Sequence, residues 1–315
     1  MKKKVLICGA SGFIGRNIFE ALSKNSSLDV YGTCFINKLS NNPQLIEVDL
    51  RKKRNVNEIT QGMDVVIHAA AVTDGLGAIQ ANPAQYIADN IVMNTRLAEA
   101  AYLNKIPHFI FMSCSIVYPS KTTPQKEEEA DLLNVHPQYF MGARIKICME
   151  DLCRFYSKHG NIRFTMIRHA NIYGPYDKFD LQKGHVFAAT IKKVLSANDG
   201  DDIVMWGEGK EARDLLYVSD IVDFIETVII KNFEPQYNIF NVGSGTAISV
   251  SDLVKKIIKI SGKKIGILYD SSKPSLGNKI TLDWQKAHQA FGWQPKVDLN
   301  QGIQQTIDWY LKNNL

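Results

Sequence analysis

Three glycines near the start of the chain have the spacing of a dinucleotide-binding turn. The apolar stretch Val5–Cys8 leads directly into Gly9, Gly12 and Gly15, and a helical stretch, Arg16–Lys24, follows. In such a turn the first glycine permits a tight reversal, the second lets the backbone approach a pyrophosphate, and the third lets the helix pack closely on the sheet. The helix N-terminus then offers its N–H groups to the phosphates. The pattern predicts a nicotinamide cofactor, contacted here by Gly9, Ser11, Gly12, Phe13, Ile14, Gly15 and Arg16.

The residues after the second predicted strand bear on which cofactor is bound. A dehydrogenase that prefers NAD places Asp or Glu there, against the adenine ribose hydroxyls. The segment Tyr31–Phe35 has no carboxylate, whereas Arg16 follows the glycine turn and Lys38 lies slightly downstream. These residues favour NADP, with NAD as the alternative. Asp49, followed by Leu50, ends the third strand and either accepts a hydrogen bond from the adenine amino group or caps its own loop.

Alternating strands and helices are predicted to position these residues. Such alternation is typical of a doubly wound parallel sheet, the Rossmann arrangement. The small residues Ala69, Ala70 and Ala71 end one strand and would let a cofactor lie against the backbone. The predicted strands are Asp29–Cys34, Leu45–Val48, Asp64–His68 and His108–Met112, and the predicted helices include Ile87–Ala101 and Ile145–Ser157.

The regular alternation weakens after about residue 170, which predicts two lobes. We expect a dinucleotide-binding domain over residues 1–170, to which the chain returns near 214–243, and a smaller α/β lobe, mainly for substrate, over 171–315. Turn-forming stretches at 174–175, 177–184 and 197–202 fall in the second part, where substrate-binding loops are expected. Lys126–Asp131 is interpreted as a solvated acidic turn.

Composition excludes several classes of protein. A net charge of +5 over 315 residues, with the basic residues scattered, does not favour nucleic acid but is compatible with an anionic substrate. The longest apolar runs are far shorter than the roughly 18 residues of a membrane span. The apolar run after Lys2–Lys4 is too short for an export segment, so we expect a cytoplasmic protein. Five cysteines without paired metal-ligand spacing indicate reduced thiols and no metal site.

Several motifs together resemble the extended short-chain dehydrogenase/reductases, and within them the branch of GDP-fucose synthases and nucleotide-sugar epimerases. The resemblance extends over nearly the whole chain and implies cofactor contacts at Asn90, Lys146 and His169. Besides the glycine turn and residues 68–71, it rests on Asn90, Val117-Tyr118-Pro119, Lys146, the segment 171–180, Gly184-His185-Val186, Trp206-Gly207, Arg213-Asp214 and Ser272-Lys273-Pro274.

The resemblance also implies a catalytic trio, and this chain departs from it. In the family a Ser or Thr, a Tyr and a Lys four residues after the Tyr carry proton transfer while the nicotinamide exchanges hydride with a sugar carbon. Lys146 matches the lysine, but Gly142 occupies the tyrosine position and Cys114 the serine position. Glycine cannot transfer a proton, so Tyr139, Cys114, His185 or a water would have to replace the phenol.

Epimerisation in the fucose synthases uses a Cys and a His. His185 matches the histidine, or is a structural hydrogen-bonding residue. Ile116 stands at the cysteine position unless a one-residue shift within Ser113–Ile116 brings Cys114 into that role. The alternative for Cys114 is a buried filler.

The second half of the chain supplies the residues implied in substrate binding. Arg213 matches the arginine that grips the substrate diphosphate, for which a planar, permanently charged fork is suited. Lys279 falls where the family commonly has Arg and would add a second positive charge. Asn171 would hydrogen-bond the sugar or its phosphate, and Trp206 either stacks on a base or sugar or is a core indole.

These observations predict an NADP-dependent enzyme that reduces or epimerises a nucleotide-linked sugar. The expected substrate is a GDP-4-keto-6-deoxyhexose, with hydride transfer at C4, in surface polysaccharide synthesis. A homodimer is the family expectation. The alternatives are a catalytically silent NADP-binding regulatory subunit, for which Gly142 argues, and an epimerase or dehydrogenase of another nucleotide sugar that retains NAD.

Overall fold

The structure, a computed structural model, describes residues 2–36, 42–73, 83–231, 233–272 and 277–314. Lys38 and Lys273-Pro274, which the sequence analysis used, lie outside these residues. Within the described ranges, no helix combines the length and the hydropathy that crossing a membrane would require.

A seven-stranded parallel sheet forms the centre of the fold, as the sequence predicts. The strand order is β10-β6-β5-β4-β1-β2-β3, so the direction of winding reverses next to β1. Val5, Leu6 and Ile7 of β1 are fully buried because helices cover both faces of the sheet. The strands are β1 (Lys3–Cys8), β2 (Leu28–Cys34), β3 (Leu45–Glu47), β4 (Val65–His68), β5 (His108–Cys114), β6 (Arg163–His169) and β10 (Tyr237–Val242).

Among the residues that the structure describes, five helices flank this sheet, and each apolar face packs into one of two cores. One core joins β1 and β4 to α1 and α6, and the other joins the opposite face to α2, α3 and α4. The helices are α1 (Phe13–Leu22), α2 (Lys53–Thr60), α3 (Pro83–Leu103), α4 (Phe140–His159) and α6 (Val218–Ile230).

The remaining elements build smaller sheets with a third core. Strands β7, β9, β11 and β13 form a four-stranded sheet, and β8 pairs with β12. The division into two lobes near residue 170 stays a prediction. The strands are β7 (Asn171–Tyr173), β8 (Asp202–Trp206), β9 (Ala212–Tyr217), β11 (Ala247–Ser249), β12 (Gly266–Asp270) and β13 (Lys279–Ile280); the helices are α5 (Val186–Ser196), α7 (Val250–Ser261), α8 (Gln285–Phe291) and α9 (Leu299–Asn314).

Some predicted boundaries were wrong by a few residues. Helix α1 begins at Phe13 instead of Arg16, because the glycine turn itself provides the helix N-terminus. Helix α4 begins at Phe140, five residues before the predicted start, and β5 continues to Cys114. The prediction of a solvated turn at Lys126–Asp131 was also wrong in part: the Glu127 carboxylate is partly buried and accepts a hydrogen bond from the backbone N–H of Asn241 at 2.8 Å.

Candidate active site

The glycine turn forms a cradle at the carboxyl end of β1. Gly9 has a φ of +87°, and a Cβ there would lie 2.6 Å from the Cα of Ala70. A Cβ on Gly15 would lie 2.1 Å from the carbonyl oxygen of Gly9, so both positions require glycine for packing within the protein. A Cβ on Gly12 would approach only the Gly9 oxygen, at 3.4 Å, which is ordinary contact. The protein itself therefore does not require glycine at position 12, as expected if a bound group passes there.

The N-terminus of α1 is suited to phosphate. Its N-cap, Gly12, makes no side-chain capping bond, and the first turn contains no acidic residue. The N–H groups of Phe13, Ile14 and Gly15 therefore remain for a ligand, and the helix dipole favours negative charge there. The cradle thus fits a dinucleotide pyrophosphate.

Arg16 is held by neighbouring side chains instead of extending freely. Its Nε donates to Glu20 at 2.9 Å, and its guanidinium lies 3.8 Å from the centre of the Tyr176 ring. Ser11 lies beside it in the turn, partly buried. To bind a 2′-phosphate, Arg16 would have to exchange these contacts.

Asp49 caps its own loop and is paired with Arg51. Its Oδ1 accepts from the Arg51 N–H at 3.0 Å, and the Arg51 guanidinium bonds both carboxylate oxygens and also Asp89. The hydrogen bonds of Arg51 keep the pKa of Asp49 below its usual range. The capping alternative is therefore present in the structure, and Leu50 beside it is buried.

The small residues after β4 line the cradle, and a distant asparagine holds the segment that follows them. Ala69 donates its N–H to the carbonyl of Cys8 at 3.0 Å, and Ala70 is the residue that a side chain on Gly9 would strike. The Asn90 amide bonds both backbone groups of Val72, at 3.0 and 2.8 Å. Asn90 thus holds the backbone at Val72, just after the exposed Ala71. Its side chain supports the segment that lines the cradle.

Lys146 points from α4 to the end of β5. Its Nζ donates to the carbonyl of Met112 at 2.7 Å and lies 4.7 Å from the centre of the Phe111 ring. Burial lowers the pKa of Lys146, while the nearby Cys114 and Glu150 act in the opposite direction. The ammonium is therefore placed at the strand ends where a cofactor ribose would lie.

Cys114 ends β5 and lies next to Lys146 and His169. It pairs with His169 of β6 in the sheet register. Burial raises the pKa of the Cys114 thiol, and the charge of Lys146 and the N–H of Ile116 partly oppose this. Burial lowers the pKa of His169 to about 4, so its imidazole is neutral at neutral pH.

The space beside Gly142 is filled by Ile116. A Cβ on Gly142 would lie 3.0 Å from the Cδ1 of Ile116. The two residues that depart from the family pattern at the Tyr and Cys positions therefore pack against each other. A larger side chain at position 142 requires Ile116 to move.

Tyr139 lies near residues of two different sheets: Cys114 of the central sheet and Arg213 of the four-stranded sheet. It is the residue just before α4, at the end of a short 3₁₀ turn, so the helix does not extend to it as a regular stripe. Burial raises the pKa of its hydroxyl; the charge of Arg213 opposes this, and Cys114 and Glu211 add to it. The Tyr139 phenol therefore shares its electrostatic surroundings with both Cys114 and Arg213.

His185 lies at the start of α5, half exposed. Its Nδ1 is 3.6 Å from Oδ1 of Asp177, a buried carboxylate. Its charge also acts on His169, so the two histidines are near each other. Sequence reasoning missed Asp177, which it placed in a polar turn; its position just after the Gly174-Pro175 turn and eight residues before His185 was the available signal.

The predicted substrate residues are only partly brought together. Arg213 and Lys279 lie on the neighbouring strands β9 and β13, and Arg213 donates to the carbonyl of Asn278 at 3.3 Å. Asn171 on β7 donates to the backbone of Asp214 at 3.2 Å. Trp206 ends β8 with its residue 56% exposed, so it is not a core indole, and it belongs to a different sheet from Arg213.

A buried network beneath the strand ends was also missed from the sequence. The Arg168 guanidinium binds both oxygens of Glu150, at 3.1 and 2.6 Å, and donates to the Tyr118 hydroxyl at 3.0 Å. Ser113 donates to the same carboxylate at 2.6 Å. Glu150 lies one helical turn after Lys146, which was the available signal. The network holds α4 against β5 and β6.

The fold and the cradle define a dinucleotide-binding protein of the Rossmann class. Residues 5–243 match the family model described as the NAD dependent epimerase/dehydratase family. The chain is 31% identical to GDP-L-colitose synthase of Yersinia pseudotuberculosis over 99% of both proteins. It is 28% identical to GDP-L-fucose synthase of Escherichia coli K12, covering 99% of this chain and 98% of that one.

A solved structure is similar to this chain in both fold and sequence. UDP-glucuronic acid 4-epimerase from Bacillus cereus, in complex with UDP-glucuronic acid and NAD, is 26% identical, with a TM-score of 0.85 and coverage of 98% of this chain and 99% of that one. The chain belongs to the NAD dependent epimerase/dehydratase family and is an NAD(P)-dependent enzyme.

Proposed function

We propose that this enzyme transfers hydride between a nicotinamide cofactor and C4 of a nucleotide-linked sugar, a GDP-4-keto-6-deoxyhexose. One observation carries the proposal: the glycine cradle after β1 and the pair Lys146 and Cys114 at the end of β5 lie at the same edge of the parallel sheet. Cys114 and Arg213 both act on the pKa of the Tyr139 hydroxyl, which supports a site between them. A single substrate reaching from Arg213 to Cys114 would therefore place its sugar beside a phenol. The GDP-sugar names of the relatives support the base and the sugar class.

The proposed cofactor is NADP. The end of β2 and the two residues after it, 31–36, contain no carboxylate to repel a 2′-phosphate. Arg16 would bind that phosphate after leaving Glu20 and Tyr176. NAD is the alternative. Asp49 and Asp89 both bond Arg51 and neutralise its charge, so Arg51 would contribute little to binding a 2′-phosphate.

The chain's own residues supply the protons and the orientation. A bound nicotinamide supplies or accepts the hydride. Lys146 would exchange the Met112 carbonyl for the ribose hydroxyls, and its charge would favour ionisation of neighbouring acids. In reduction, hydride adds to the C4 carbonyl carbon while the Tyr139 hydroxyl gives its proton to O4, with Cys114 or His185 as the alternative donors.

The second set of sheets would hold the nucleotide. The Arg213 fork can bind a diphosphate in two-point contact, and Lys279 on the next strand adds charge. The exposed Trp206 ring offers a face for the guanine base. Asn171 lies beside Arg213's strand and would bond the sugar or its phosphate.

The setting of the reaction follows from this substrate. A GDP-deoxyhexose is a sugar donor, so we assign the enzyme to surface polysaccharide synthesis in the cytoplasm. We also propose a homodimer, in which α3 and α4 pair with those of a second copy.

Mass spectrometry of GDP-4-keto-6-deoxymannose, incubated with the protein and NADPH in deuterium oxide, tests the proposal. The expected product has gained a hydride and a proton, and deuterium retained on carbon would show epimerisation as well. Lys146→Ala, at equal NADPH saturation, should reduce turnover by about 10²-fold or more. An unchanged substrate in wild-type protein that binds NADPH contradicts the proposal.

A second candidate is a catalytically silent cofactor-binding subunit. Its support is Ile116 packed against Gly142, which leaves no phenol at the family position. NADP binding without affinity for any GDP-sugar would favour this function, whereas Arg213-dependent GDP-sugar binding would exclude it.

A further inference from the structure

The side chain of His185 lies beside a carboxylate that the proposed mechanism does not yet use. His185 is the N-cap residue of α5, but its ring makes no capping hydrogen bond. The side chain is 53% exposed, whereas that of Asp177 is only 1% exposed. The imidazole therefore stands at the surface of the site with a buried acid at its Nδ1, 3.6 Å away.

The His185 imidazole approaches the oxygen of Asp177 that also accepts a backbone N–H. This oxygen, Oδ1, accepts the N–H of Lys178 at 2.7 Å. Oδ2 is buried and has no hydrogen-bond partner within the part of the chain that the structure describes. A buried carboxylate is costly unless it has partners, and the His185 imidazole lies beside this one.

The loop that carries Asp177 is fixed on both sides. Pro175 accepts a hydrogen bond from Asn17 at 2.9 Å, and the Tyr176 hydroxyl donates to Glu20 at 3.0 Å. Tyr176 also stacks on Arg16, so three residues of α1 hold the loop. At the other end, a Cβ on Gly184 would lie 2.4 Å from backbone oxygens of the same loop, so the chain is tightly folded just before His185.

We propose that Asp177 is a positioning residue for His185. Its carboxylate accepts the Nδ1 proton and so leaves Nε2 to exchange a proton with the sugar carbon next to the C4 carbonyl. In that step the proton moves from carbon to Nε2, and the electrons of the C–H bond form the enolate, with the charge on O4. Asp177 stabilises the imidazolium until the proton returns. His169, a titratable group near His185, is neutral because burial lowers its pKa to about 4, so it does not compete for this role. The inference rests on the proposed function for its substrate, but the pairing itself does not.

Nitrogen-15 NMR of the histidine rings in the resting protein tests the pairing directly. The His185 signals are assigned by their loss in His185→Gln. Nδ1 should carry a proton in the wild type near neutral pH, and Asp177→Asn should redistribute that proton between the two nitrogens. Asn keeps an acceptor for the Lys178 N–H, so the loop is expected to stay folded. An unprotonated Nδ1 in the wild type, or an unchanged spectrum in folded Asp177→Asn, would overturn the inference.

Kinetics test what the pairing does. Asp177→Asn should reduce the rate of deuterium incorporation at the carbon next to C4 by about tenfold or more. This loss should be smaller than the about 10²- to 10⁴-fold loss expected when a complete acid/base group is removed. KM for NADPH should stay the same. The matched control is Asp180→Asn, because Asp180 accepts the backbone N–H groups of Gln182 and Lys183 in the same loop.

A double-mutant cycle separates positioning from general structural damage. If Asp177 acts through His185, Asp177→Asn should cost nothing further in His185→Gln protein. Additive losses contradict the inference. If the wild type exchanges no deuterium into GDP-4-keto-6-deoxymannose, the proposed function fails, while the NMR result still decides whether Asp177 holds His185.

Discussion

The glycines of the cradle show how one residue type serves two different purposes. Gly9 and Gly15 are required because neighbouring backbone would meet any side chain. Gly12 has room for a methyl group in the protein alone. All three have the spacing of a dinucleotide-binding turn, but only the structure separates the two that packing requires from the one that it does not.

Gly12→Ala should therefore fold normally and bind NADPH weakly. Its extended backbone, with φ −85° and ψ 170°, accepts alanine without strain. The added methyl group would occupy the path of the pyrophosphate, and we expect a loss of about tenfold or more in affinity, equivalent to about 1.4 kcal/mol or more. Isothermal titration with NADPH and a thermal melt measure both properties.

Gly15→Ala is the matched comparison. Its Cβ would lie 2.1 Å from the Gly9 oxygen, so this variant should be less stable than the wild type even without NADPH. If Gly12→Ala bound NADPH as well as the wild type, the cofactor would have to lie elsewhere.

The elements of the sheet were more predictable than the side chains between them. The strand Val5–Cys8 and the helix predicted over Ile145–Ser157 are both present because their apolar patterns reflect burial. The partners of Glu150 and Asp177 could not be predicted, since each meets its partner only after distant segments pack. Gly142 was visible in the sequence, but its contact with Ile116 depends on how the 3₁₀ turn Ser115–Val117 meets α4 after folding.

The Glu150–Arg168 pair is expected to be a major support of α4. Its side chains are 3% and 4% exposed, and removing one partner leaves a buried charge. Arg168→Met should lower the free energy of unfolding by about 3–5 kcal/mol. Urea denaturation measures this loss.

An exposed pair provides the control for that measurement. Arg54 and Glu58 form an ion pair at 2.8 Å with side chains 88% and 57% exposed. Arg54→Met should leave the free energy of unfolding close to that of the wild type, because water screens an exposed ion pair. Equal losses of unfolding free energy in Arg168→Met and Arg54→Met would show that burial does not decide how much an ion pair contributes to stability.

Buried histidines are expected to set the acid stability of the whole molecule. Burial lowers the pKa of His108 from 6.5 to about 3. Below pH 6.5 the unfolded chain therefore binds a proton that the folded protein excludes, so the free energy of unfolding falls as the pH drops from 6.5 towards 3. His108→Gln should reduce this slope by about 1.4 kcal/mol per pH unit.

The control for His108 is an exposed histidine. His159 is exposed at the end of α4, whereas His108 is buried. His159→Gln should leave the slope of unfolding free energy against pH as it is in the wild type. A His108→Gln slope equal to that of the wild type would contradict the assignment.

The exposed surface of α3 and α4 is where we expect two copies of the chain to associate. The two helices pack together and expose Ile91 (40%), Leu103 (54%) and Phe155 (57%). Large apolar groups on a helix pair favour association. We expect a homodimer, and Phe155→Arg should shift the mass in light scattering towards the monomer.

Leu181→Arg is the comparison for the dimer. Leu181 is 52% exposed but lies in the loop before α5. This variant should keep the wild-type mass. A monomeric wild type at micromolar concentration would contradict the proposed dimer.

The most direct test of the account follows the hydride itself. The protein is incubated with GDP-4-keto-6-deoxymannose and NADPH deuterated at the transferred position of the nicotinamide, and the sugar product is examined by NMR. We expect deuterium at C4, from one face of the nicotinamide, in spite of glycine at position 142. A reduced sugar with no deuterium at C4, or no transfer by protein saturated with both ligands, would contradict the proposed hydride transfer.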